Sequence, residues 1–202
     1  MSYQADIIFE QELTPKKGAK IPFGIHSKCK VTSLDVTEEY VDINFEDSEG
    51  RYNNKRLWQP KGNYPQDIKL DGGATRKETE EEAKTREEKA NISHVVKVLH
   101  IFLGSEKLKN IKGNSYLDFM QNAAKALTPS VLSSKLVNLK LIYDKEGVYA
   151  VFGNFPDYVE ENTNEEPKLS FSKWEKENRC TPASESPKSS TDTALTDLFK
   201  PR

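Results

Sequence analysis

One stretch, Ser27 to Thr37, restricts the fold more than any other. Cys29 and Val31 alternate on one face, whereas Leu34 and Val36 alternate with the opposite parity. Side chains on a strand repeat every two residues, so the apolar phase slips by one near Thr32 and Ser33. A strand that stays apolar while it changes phase carries a β-bulge, and a bulge bends it. A small OB-type barrel needs such a long, bent first strand, because that strand serves both halves of the barrel.

The following segments fit the same plan. From Tyr40 to Asp47 the chain alternates cleanly, with Val41, Ile43 and Phe45 on one face and Tyr40, Asp42 and Asn44 on the other. Asp47-Ser48-Glu49-Gly50 reads as a hairpin turn, with Gly50 free to take a positive φ. A third, less apolar strand runs from Arg51 to Trp58 and ends before Pro60; Gly62, Pro65 and Gly72-Gly73 then mark a loop. Ala74 to Lys89 is dense in Glu, Lys and Arg and has almost no apolar stripe, so it is either a solvated helix held by ion pairs or unfolded. Ile92, Val95, Val96, Leu99 and Phe102 then share one helical face, with Gly104 as a stop. A second amphipathic helix is expected from Ser115 to Leu127, carrying Leu117, Met120, Ala124 and Leu127 on one face. Val137 to Asp144 and Val148 to Phe152 form a closing hairpin around Lys145-Glu146-Gly147.

The order is therefore strand, strand, strand, helices, strand, strand. The predicted fold is mainly β with a helical insert: an OB-fold-like five-stranded barrel with helices between strands three and four. The barrel domain is placed at residues 20–160, with the helical insert at about 74–128. Residues 1–19 are read as a flexible lead, with a short strand possible over 5–9. Residues 161–202 are read as a flexible tail. Hydrophobic residues make up 35% of the chain and charged residues 31%, too polar for all of it to share one core. Thr181 to Thr193, rich in Ser, Thr and Pro, is expected to be disordered. Leu169, Phe171 and Trp174 offer one short ordered element before it. An apolar cluster near the end, Leu195, Leu198 and Phe199, is a candidate docking point for a partner.

Little in the chain suggests catalysis. His26, His94 and His100 have no metal-ligand spacing with either cysteine or with one another. Gly72-Gly73 lacks the Lys-Ser/Thr of a phosphate loop, and the carboxylates fall mostly in charge runs of the kind that face solvent. No enzyme activity, cofactor or metal is expected. Cys29 and Cys180 stand in unlike contexts, which fits a reducing intracellular setting, and no apolar run is long enough to span a membrane.

Nucleic-acid binding has more support. Single strands are held by rings that stack on bases and by cations that follow phosphates. Tyr52, Asn54, Arg56 and Trp58 share one parity of the third strand, Lys55 lies beside them, and Tyr40 has the outward parity of the second strand. OB-folds bind oligonucleotides over these two strands. The candidate contacts are Tyr40, Tyr52, Lys55, Arg56 and Trp58, with Lys140 and Tyr149 on the last hairpin as weaker ones. Against this, Trp58 can equally plug the base of the barrel, Tyr52 can pack on the helix, and Asp42, Glu46 and Glu49 oppose a phosphate path. A net charge of −2 decides nothing, because only local placement of cations bears on the question.

Several phrases also carry a family likeness. Ile21-Pro22-Phe23-Gly24-Ile25-His26, Tyr40 to Asp47, Arg56-Leu57-Trp58-Gln59-Pro60, Leu139 to Tyr143 and Asn154 to Glu160 occur in that order. Together they resemble the single-stranded-DNA-binding proteins of tailed phages of the crAss-like type, over roughly residues 20–160. The resemblance implies an OB-type domain that coats single-stranded DNA in replication or recombination, in the host cytoplasm. Replication or recombination proteins would then be partners of the tail. The tail departs from the bacterial pattern of an acidic stretch and a terminal Pro-Phe, since Lys200-Pro201-Arg202 follows Phe199. The rival expectation is a protein-interaction module, such as a phage structural or adaptor component, built on the same barrel.

Overall fold

In the computed structural model, which describes residues 18–70, 73–163 and 165–182, the phase slip is a register shift. Strand β1 (Gly24–Val36) pairs antiparallel with β2 (Tyr40–Glu46), and the register jumps between Val31 and Ser33. The extra residue lets Cys29, Val31 and Leu34 all face the interior despite their mixed parity. A second shift, between His26 and Cys29, lies where β1 pairs with β6 (Val137–Tyr143), and Lys28 there adopts a positive φ of 59°. Two bulges in one strand let its first half pair with β6 and its second half with β2.

The strand order is β3 (Tyr52–Trp58), β2, β1, β6, β7 (Ala150–Phe152), and β8 (Val159–Glu161) also pairs with β6. This is a nearly closed, five-stranded antiparallel barrel of OB-fold-like form. Between β3 and β6 lie a small hairpin, β4 (Asp67–Lys69) and β5 (Thr75–Lys77), and then helices α1 (Glu80–Leu108), α2 (Tyr116–Ala126) and α3 (Pro129–Leu132). The core predicted from parity is present: Val41, Ile43, Phe45, Leu139 and Leu141 are buried, packed with Val95, Leu99 and Phe102 of α1 and Met120 of α2. Among the described residues no helix is long and apolar enough to cross a membrane.

The charged segment left open by the sequence is resolved as two elements. Residues 75–77 form β5, and the helix begins at Thr79, whose hydroxyl accepts from the Glu82 N–H while the Glu82 carboxylate accepts from the Thr79 N–H. That capping box satisfies two of the amides that a helix start leaves open. Gly104 breaks α1 with φ 71°, yet one more helical turn follows it to Leu108. The loop expected around Gly73 is the tip of the β4–β5 hairpin, a pairing too short and too polar to show in the alternation.

Past residue 160, where the sequence places a flexible tail with one short ordered element at Leu169, Phe171 and Trp174, a helix forms. Helix α4 (Lys173–Asn178) is capped by Ser172 and Glu175, and Glu175 also accepts from Lys140 of β6. Tyr143 N–H donates to the Arg179 carbonyl at 2.9 Å, so residue 179 satisfies an edge amide of β6. Lys140, 1% exposed, donates to Glu175 and Asp157 and to the Ser170 carbonyl. Burial alone would lower the Lys140 pKa, but the hydrogen bonds to Asp157 and Glu175 outweigh it and hold the ammonium above its ordinary value. Both cysteines are free thiols, Cys29 inside the barrel and Cys180 half-buried just after α4. Burial pushes the Cys29 thiol up to about 12. The expectations for residues 1–17 and 183–202, Leu195, Leu198 and Phe199 among them, lie outside the described residues.

Ending the chain after Asn162 removes Glu175 and the Arg179 carbonyl together. A buried lysine short of partners and an open edge amide cost about 3 kcal/mol between them, so the melting temperature is expected to fall by about 6–12 °C. A truncated protein that melts like the full chain would show that α4 contributes nothing to the barrel.

Candidate nucleic-acid interface

Inward-facing residues of β3 decide what its other face can present. Asn53 and Leu57 are buried and Lys55 points the same way, so Tyr52, Asn54, Arg56 and Trp58 project outward. No main-chain ladder joins β3 to β7 among the described residues. Instead, Asn53 Nδ2 donates to the Ala150 carbonyl at 3.2 Å and Lys55 Nζ donates to the Gly153 carbonyl at 2.8 Å. Under this seam Phe45, Phe152 and Tyr158 form an aromatic trio, with ring centroids of Phe45 and Phe152 4.9 Å apart and of Phe152 and Tyr158 5.0 Å apart.

Cross-strand register sets the outer face in rows. Trp58 lies opposite Tyr40, Arg56 opposite Asp42, Asn54 opposite Asn44, and Tyr52 opposite Glu46. Asp42 grips the Arg56 guanidinium through two hydrogen bonds, of 2.9 Å to Nε and 2.6 Å to Nη2. Held there, the guanidinium lies 3.9 Å from the Tyr40 ring centroid and 5.4 Å from that of Trp58. Tyr40 and Trp58 meet edge to face at 5.9 Å. Trp58 is 62% exposed, so it does not plug the barrel. Its backbone carbonyl accepts from Asn91 of α1, which fixes the end of β3. At the other end of the strand the Lys20 ammonium sits 4.1 Å above the Tyr52 ring. The row between them is polar: Asn44 Nδ2 donates to Ser33 and to Asp35 of β1.

The structure thus brings Tyr40, Arg56 and Trp58 together and places Tyr52 farther along the same face. The other sequence candidates are elsewhere. Lys55 has the opposite parity, lines the groove beside Trp58 and donates to the seam; burial lowers its pKa to about 8. Lys140 is enclosed by carboxylates and is absent from any outer face, because every residue of β6 up to Ile142 is covered by its neighbours. Tyr149 is exposed on the β6–β7 turn, next to Ala150 at the seam and outside the Tyr40, Arg56 and Trp58 cluster. Sequence reasoning missed the groove beside Trp58. There the chain after β3 runs along α1 and encloses about 660 Å³ between Gln59, Asn63, Tyr64, Glu87, Asn91 and His94. Only the amphipathic spacing of α1 signalled that a helix lay close by.

His94 secures the far wall of this groove. The Asn154 carbonyl can only accept, so His94 Nε2 carries the proton of their 3.0 Å hydrogen bond. Nδ1 is buried without a partner. Burial first, then the Lys55 charge, lowers the His94 pKa to about 4. Among the described residues no cluster of His, Cys, Asp or Glu could hold a metal ion. Comparisons with protein-family models, curated proteins and solved structures found no match to this chain.

Because the folded pKa of His94 lies below its ordinary 6.5, the unfolded chain binds more protons between the two values. The stability contributed by neutral His94 is present above pH 6.5 and is lost as pH falls toward 4. Melting curves across that window should steepen in the wild type and flatten in His94→Gln; equal slopes would overturn the assignment.

Proposed function

We propose that this chain is a non-enzymatic single-stranded-DNA-binding protein that coats DNA during replication or recombination. The observation that carries this reading is the Tyr40–Arg56–Trp58 platform, an exposed indole beside a guanidinium held flat on the second and third strands of an OB-like barrel. Bases stack on aromatic rings and on guanidinium planes alike, with little regard to sequence. Asp42 neutralises part of the Arg56 charge, so its main contribution is a rigid stacking plane. Phosphates would meet Lys20 at one end of the face and Lys61 at the other. Neither forms an ion pair with another described residue. The resemblance to proteins of crAss-like phages favours a phage setting, with the infected cell's cytoplasm as the site of action and replication proteins as partners of the tail.

A second reading has its own observation. Phe155 and Trp174 stand exposed at the rim of a groove of about 440 Å³ whose apolar wall includes Ile142, Val151 and Phe152. Exposed apolar grooves of this kind dock proteins. An interaction or adaptor module built on the barrel would use that surface in place of the β2–β3 face.

Fluorescence titration with oligo-dT at two salt concentrations separates the two. Wild-type tryptophan emission should quench at low salt and recover at high salt. Trp58→Ala, which removes the reporting ring and is therefore followed by the anisotropy of dye-labelled oligo-dT, should weaken binding by about 1–3 kcal/mol with the melting temperature nearly unchanged. Arg56→Gln should weaken it and lower the salt slope by about 1 or less, given the Asp42 pair. If both variants bind as the wild type does, the platform is not the DNA face.

A further inference from the structure

The platform does not end at Trp58. Its ring is also on the rim of the groove between α1 and the chain leaving β3, and across that groove stands Tyr64, 78% exposed. Two exposed rings at one opening fit a flat ligand. The walls between them are rich in amides: Gln59, Asn63 and Asn91 line the groove. A side-chain amide both donates and accepts, as the edge of a nucleobase does, so amides are the groups that pair with base edges. The groove's volume, about 660 Å³, lies within the usual range for sites that enclose a small organic ligand.

Glu87 ties the chain leaving β3 to α1 along one side of the groove. Glu87 Oε2 accepts from the Lys61 and Gly62 N–H groups at 3.2 Å each, while Glu87 Oε1 is screened from solvent without a partner. Gly62 makes this geometry possible: a Cβ there would lie 2.2 Å from the Glu80 carbonyl, so the backbone of 61–63 approaches α1 as closely as it can. Lys61, exposed at the mouth, is placed for the phosphate that follows an inserted base.

We infer that this groove takes one unstacked nucleobase of the bound single strand, held at the Trp58–Tyr64 rim and read along its edge by Gln59 and Asn63, with Asn91, whose N–H groups are held by Trp58 and Tyr116, offering only its Oδ1. The inference rests on the single-stranded-DNA reading and deepens it. A protein that only stacks bases on an open face is nearly indifferent to their identity, whereas a protein that inserts one into an amide-lined groove acquires a preference among dT, dC and dA.

The test is a titration of oligo-dT, oligo-dC and oligo-dA with the full chain, the Tyr64→Ala and Asn63→Ala variants, and Trp58→Ala. Tyr64 and Asn63 are exposed and outside the barrel core, so both variants should fold, which a melting curve checks. Expected are a several-fold preference among the three oligomers in the wild type, a loss of about tenfold in affinity on Tyr64→Ala, and a narrowed preference on Asn63→Ala. Oligomers carrying 5-iododeoxyuridine should cross-link to the peptide spanning residues 59–64. If the wild type binds and Trp58→Ala weakens it, but Tyr64→Ala and Asn63→Ala match the wild type in affinity and preference, the groove inference fails and the open-face reading stands. If the wild type does not bind any of the oligomers at low salt, both fall.

Discussion

A barrel of five strands needs its last strand to meet its third, and here two side chains make that meeting. Asn53 and Lys55 reach from β3 to carbonyls on and just after β7, where a main-chain ladder would otherwise run. A lysine half-buried for this purpose is held at a cost, since its ammonium is drawn from water with one carbonyl and the face of the Tyr158 ring for company. The arrangement has a geometric result. With Asn53, Lys55 and Leu57 committed to the interior, period-two alternation leaves Tyr52, Asn54, Arg56 and Trp58 outside. The composition of the outer face thus follows from the way the barrel is closed.

The helical insert makes that face asymmetric. Helix α1 caps the barrel with Val95, Leu99 and Phe102, and its first half, rich in charge, lies alongside the chain that leaves β3. Asn91 joins the two by donating both to the Trp58 carbonyl and to the Tyr116 hydroxyl of α2. Trp58 is held at its backbone while its ring stays in solvent, a combination suited to contact with something else. At the opposite end of the strand Tyr52 pairs with Glu46 of β2 on one side and with the segment at Lys20 on the other.

The barrel was legible because alternation reports burial directly. The phase slip at Thr32 located the bulge, and the shared parity of Val41, Ile43 and Phe45 located the core. The outward parity of Arg56 and Trp58 was legible for the same reason. What parity does not carry is the long-range partner. Lys140 and Lys55 read as surface cations because nothing local announces the Glu175, Asp157 or Gly153 atoms that take them inward. Helix α4 was underestimated for a related reason: its anchor is an edge amide of β6 and one buried ammonium, and neither leaves a trace in the composition of residues 161–182. The groove beside Trp58 depends on how closely residues 59–64 approach α1, which no pattern within either segment encodes.

The chemistry of the two thiols follows from the seating of that last helix. Cys29 is enclosed by the barrel and kept protonated well above neutral pH, so electrophiles and oxidants reach it only when the barrel opens. Cys180 comes directly after Arg179, whose carbonyl holds the Tyr143 amide, and it is half-covered where it sits. The rates at which the two are alkylated therefore record different events. Cys180, partly open to solvent where it sits, is modified in the folded chain, whereas modification of Cys29 reports the parting of the strands themselves.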